Sequence, residues 1–125
     1  MAELQGIYFG EMVDYEPVEG KRFIESKKKF VGRTGMILTY TSQNMRPGDE
    51  FIYFYPNADD AGNAYLHTSC GKVDINSDGN NFRNISIKTD NSIYKFKENN
   101  RLSDDQKDNL CLDIFGCKLV DIKKE

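Results

Sequence analysis

The sequence predicts a mainly β protein with one C-terminal helix, an α+β arrangement built as an antiparallel sheet or a partly open small barrel. Three observations predict it. Apolar and aromatic residues alternate in short runs, those runs follow one another too closely for the crossovers of parallel strands, and a single capped helical pattern stands near the end.

The first run, "LQGIYFGEMVDY" from Leu4, places Ile7, Phe9 and Val13 on one side and Tyr8 and Met12 on the other, until "EPVEG" ends it. A second extended region is expected over Arg22 to Val31. "MILTYTS" (Met36 to Ser42) and "EFIYFY" (Glu50 to Tyr55) are rich in β-branched and aromatic residues, and Pro47 and Gly48 make the turn between them. Pro56 to Asn63 reads as a loop and "AYLHTSC" as another strand. "FRNISIK" and "SIYKFK" alternate on either side of "TDNS", a tight hairpin. Ser103 with Gln106 forms a capping-box pattern, Asp104 and Asp105 suit a helix start, and Gly116 suits its end. A helix from about Asp104 to Phe115 would align Leu110, Cys111, Ile114 and Phe115 and dock on the sheet. The tail "CKLVDIKK" fits a last strand or a loose extension.

At 125 residues the chain reads as a single β-rich domain, 1–125, able to bury one core. Hydrophobic residues at 38% and charged ones at 30% exclude a disordered chain. No apolar run approaches the roughly 20 residues of a membrane span, and the start lacks a secretory pattern, so a cytoplasmic setting is expected. Cys70, Cys111 and Cys117 read as small hydrophobes rather than a disulfide framework. Five acids and no base precede Gly20, whereas Lys21 to Arg33 carries six bases against Glu25. That asymmetry suits either a held anion or a solvated strand edge guarded by lysines.

Catalytic and metal chemistry finds little support. In "KVDINSDGNNF", Asp74, Asn76 and Asp78 open like a calcium loop, but the twelfth position, where a bidentate acid belongs, is Ile85. A hairpin bend around Asp78 and Gly79 is the expected structure. His67, Cys70, Cys111 and Cys117 lack zinc-site spacing, and no metal or cofactor is assigned. His67 is the one histidine, and no nucleophile elbow, P-loop or dinucleotide-binding glycine pattern is present. Binding chemistry remains. Arginine and lysine grip phosphates, aromatic rings stack on bases, and the two occur together in "KRFIESKKKFVGR", "NMRPGDEFIYFY" and "NNFRNISI". The candidates are Arg33, Arg46, Arg83 and Arg101 for phosphate, Phe82 and Tyr53 for stacking, and Asn84 for hydrogen bonds.

The run "LHTSCGKVDINSDGNNFRNISIKTDNSIYKFKE", with its "TS…V…I…T.NS.Y.F" skeleton, and the early sheet followed by a late helix resemble the Thoeris anti-defence sponge family. The resemblance implies a phage protein that sequesters a cyclic ADP-ribose-type signal or a cyclic oligonucleotide without cleaving it, as a homo-oligomer. Phe82 with Arg83 is the nearest match to such a pocket. The expectation is therefore a non-enzymatic binder of a small anionic nucleotide, with no membrane and no long nucleic acid as partner. The alternative is a protein-interaction module or inhibitor that docks its "KRFIESKKKF" segment as a basic strand edge.

Overall fold

The computed structural model describes residues 2–42, 46–57, 65–77, 79 and 81–123. Among these residues seven strands form one antiparallel sheet: β1 (Ala2–Pro17), β2 (Thr34–Ser42), β3 (Glu50–Pro56), β4 (Leu66–His67), β5 (Gly71–Ser77), β6 (Arg83–Thr89) and β7 (Ser92–Glu98). Their order is β2-β1-β7-β6-β5-β3-β4, and β2 also pairs with β3. The pairings therefore run round in a ring.

Two stretches of chain carry the ring round its corners. The first half of β1 pairs with β2 and the second with β7, and Gly10 belongs to both ladders. A side chain at Gly10 would overlap the carbonyl oxygen of Lys97, so the crossing needs glycine. At the other corner β4 follows β3, Thr68 continues alongside Ile52, and β5 leaves after the single pairing of Gly71 with Glu50. A β-carbon at Gly71 would overlap the carbonyl of Lys88.

The alternation in β1 is interrupted by a bulge between Met12 and Asp14. The extra residue, Val13, is left exposed, and the inward parity shifts so that Met12 and Tyr15 both enter the core. Val13 thus parts from Ile7 and Phe9, which keep the outer face. Inside the ring pack Met12, Tyr15, Ile37, Ile52, Phe54, Ile85, Ile87, Tyr94 and Phe96. Full burial stabilises each large apolar side chain by roughly 1.5–3 kcal/mol.

The outer face of β1 and β2 offers Phe9, Met36 and Leu38 to a helical layer. Helix α2 (Asp104–Phe115) begins on the expected capping box: Gln106 N donates to Ser103 Oγ, and Ser103 N donates to Gln106 Oε1 at 2.8 Å. Gly116 ends it in the left-handed conformation with φ 76°. Leu110, Cys111, Ile114 and Phe115 face the sheet as their spacing predicts. β6 and β7 form the expected hairpin, its turn tied by Thr89 Oγ1, which accepts from Ser92 N at 3.0 Å. β5 and β6 pair as a hairpin from Ser77 and Arg83. Of its bend, Gly79 has φ 87°, and Asp78 lies outside the described residues.

Three segments differ from the sequence expectation. Arg22 to Val31 is no strand: it curls into the short helix α1 (Glu25–Lys28), bracketed by Gly20 and Gly32 at positive φ. Its apolar residues Ile24, Phe30 and Val31 flank that helical turn on either side and pack onto the inner core. The basic run is consequently not a strand edge. "AYLHTSC" is reduced to the two residues of β4, because the chain must leave β3 to join β6. The tail winds into helix α3 (Leu119–Lys123), which sets Leu119 and Ile122 against the outer core, with Leu119 N donating to Asp108 Oδ1. The loop expected from Pro56 falls mostly outside the described residues. Among the described residues no disulfide joins the three cysteines; Cys111 is buried, Cys117 half-buried and Cys70 exposed. Among the described residues no helix is long and apolar enough to cross a membrane.

Candidate functional site

The α1 segment is pinned to the ring at several points. Ile24 N donates to Tyr15 Oη at 3.1 Å, Lys28 pairs with Asp14 at 3.7 Å, and the backbone of Gly32 and Arg33 bonds to that of Met12 on the bulged stretch of β1. These anchors hold Lys27, Lys29 and Arg33 at the margin of an open cleft of about 570 Å³, whose other contributions come from Tyr65, Leu66 and His67 at β4. Buried Phe30 and Leu66 give it an apolar floor. Three cations line it, and no described carboxylate does.

The rings at this cleft are backed by others. His67 stacks on Tyr53 with centroids 4.3 Å apart and planes 8° apart, while Tyr65 lies 5.4 Å from Tyr55. Such backing fixes ring orientation before any ligand arrives. Burial holds the His67 imidazole below its ordinary pKa, so at neutral pH it is an uncharged ring. Burial, reinforced by Tyr40, Tyr53 and Tyr65, pushes the Tyr55 phenol up to about 12. Arg33 sits 5.5 Å over the Phe30 ring and Lys27 5.5 Å from Tyr94, so their stems cover apolar surface. Neither forms an ion pair among the described residues. They keep hydrogen-bonding capacity for an anion.

The sequence candidates fall in several places. Arg33 lines the cleft and Tyr53 supports its His67. Phe82 and Arg101 share a different hollow of about 320 Å³ with Glu11 and Glu98, where Arg101 Nη1 is bound to Glu11 Oε1 at 2.7 Å. Arg83 leans over the Tyr8 ring at 5.6 Å while Phe82 lines that hollow, so these neighbours are engaged separately. Asn84 is exposed at the start of β6. Arg46 borders a third hollow of about 220 Å³ and is held between Asp49 and Asp90. Asp49, only 5% exposed, is clamped in turn by Lys72 at 2.6 Å. These two hollows contain their own counter-charges.

Lys27, Lys29, Tyr65 and His67 are the cleft residues that sequence reasoning left off its candidate set. The basic run containing both lysines was visible, but nothing in the sequence joined it to β4. Among the described residues no three His, Cys, Asp or Glu side chains gather as a metal site. Compared with protein-family models, curated proteins and solved structures, the chain matches none.

Proposed function

We propose that this protein is a non-enzymatic binder that captures a small anionic nucleotide in the cleft between the α1 segment and β4. The carrying observation is that Lys27, Lys29 and Arg33 meet Tyr65 and His67 around one hollow with no described carboxylate. Cations supply charge-assisted hydrogen bonds to phosphate, and the exposed rings supply stacking area for a base. The volume suits a ligand of nucleotide size. The sponge-family resemblance narrows the ligand to a cyclic ADP-ribose-type signal or a cyclic oligonucleotide, sequestered as part of phage anti-defence.

Isothermal titration calorimetry against ADP-ribose, its cyclic isomers, cyclic mononucleotides and cyclic dinucleotides tests the reading. Binding of at least one, with the ligand recovered chemically unchanged, supports it; no heat with any of them removes it. A second reading, a protein-docking module, draws on Phe23, which is 41% exposed beside Lys21 and Arg22. Retention of a protein partner by wild type, lost with Phe23→Ala, would favour that module instead.

A further inference from the structure

Among the described residues the ring has a strand edge without a partner strand. β5 is paired along its length with β6, but on its other side it meets β3 only where Gly71 faces Glu50. The described part of the turn before β3 meets β5 at Lys72, whose ammonium contacts Asp49 Oδ1 and the Pro47 carbonyl. Among the described residues nothing pairs with the outer edge of Val73 to Ser77. Such an edge presents a row of backbone donors and acceptors to any strand of matching register. It also carries Ile75, 39% exposed although it shares its face with buried Ile85 across the β5–β6 ladder.

We infer that this edge pairs with the same edge of a second copy, β5 against β5 about a two-fold axis through Ile75. The register follows from the side chains. Centring on Ile75 sets it against its own copy, sets Val73 across from Ser77, and sets Asp74 across from Asn76. Asn76 Nδ2 already donates to Asp74 Oδ2 at 3.0 Å within the chain, so the amide and carboxylate are complementary in the crossed arrangement too. Centring one residue earlier would oppose Asp74 to Asp74, a like-charge pair that antiparallel strands disfavour. A two-fold pairing is self-complementary by construction and covers the apolar side chain the ring leaves open. An unrelated extended peptide could satisfy the backbone, but it would not by symmetry place isoleucine on isoleucine.

Five paired residues bury much less than the roughly 1,200 Å² of a standard interface, so a weak dimer with Kd of about 100 μM is expected. Sedimentation equilibrium at rising concentration, up to about 1 mM, should move the mass from the 14.4 kDa of one chain toward twice that value. Ile75→Lys should weaken dimerisation at least about 10-fold with an unchanged circular dichroism spectrum. The register is read separately, in a Cys70→Ser, Cys117→Ser background. Ile75→Cys should form a reductant-sensitive cross-linked dimer, because facing residues there bring their Cα atoms to about 4.5–5.5 Å. Asn76→Cys, which faces Asp74, should not. A mass of one chain at every concentration, or equal cross-linking by both cysteine variants, would overturn the inference.

Discussion

Removing one cation from the cleft gives a prediction that can be worked through. Arg33→Ala deletes a guanidinium that lines the hollow and forms no ion pair among the described residues, so no partner acid is left uncompensated. A hydrogen bond to a charged group is worth about 1.5–3 kcal/mol, and 1.4 kcal/mol is tenfold in affinity. Because Arg33 is only partly buried, solvent screening favours the lower end. The expected effect is about a 10-fold rise in Kd for the tightest-binding nucleotide of the calorimetric panel. The variant also loses its contact with the Phe30 ring, about 0.5–1 kcal/mol, which should lower Tm by about 2–4 °C and leave the protein folded. Arg101→Ala, which removes an equal charge from the hollow where Glu11 already neutralises it, should change Kd less than about 2-fold. Wild-type affinity in Arg33→Ala, or an equal loss in Arg101→Ala, would refute the assignment of the ligand to this cleft.

Four further outcomes are expected. Ser103→Ala breaks the capping box of α2 and should cost about 1 kcal/mol, read as a Tm about 4 °C lower. Among the described residues Ser92 Oγ is buried without a hydrogen-bond partner, so Ser92→Ala should be neutral or stabilising by up to about 1 kcal/mol in urea unfolding. Tyr55, raised to about 12, is an acid whose neutral form the fold prefers; its contribution is complete below the ordinary tyrosine pKa of 10.0 and fades as pH rises toward 12. Absorbance titration should show a late-ionising phenol that disappears in Tyr55→Phe. His67, with its pKa lowered, favours folding above 6.5, and that contribution fades as pH falls through its folded value. A bound phosphate opposes the shift, so anion affinity should increase as pH drops from 7 toward 5.5 in wild type and less in His67→Gln, as followed by calorimetry.

Local chemistry made the late elements legible. Ser103, Gln106 and Gly116 state where α2 begins and ends, and alternation with "TDNS" states the β6–β7 hairpin, because both depend on neighbours within a few positions. Ring closure depends instead on β3 pairing with β2 on one side and with β4 and β5 on the other, a non-local choice with no local signature. The bulge at Val13 was hidden for a related reason, since only the shift from β2 to β7 demands it. Arg22 to Val31 deceived through its two ends, where Phe23, Ile24, Phe30 and Val31 imitate strand residues around a lysine-rich turn of helix. The cleft was legible by half. Arg33 and the basic run were evident as anion-binding chemistry, but Tyr65 and His67 reach them only through the short β3–β4 pairing.

Mass spectrometry of small molecules freed by denaturing the protein, purified from cells that produce a nucleotide signal, probes the capture role at its source. Wild type should release an intact phosphate-bearing nucleotide in near-stoichiometric amount, and a Lys29→Ala, Arg33→Ala double variant should release little. An empty wild-type protein, a hydrolysed product, or equal release from the double variant would contradict it.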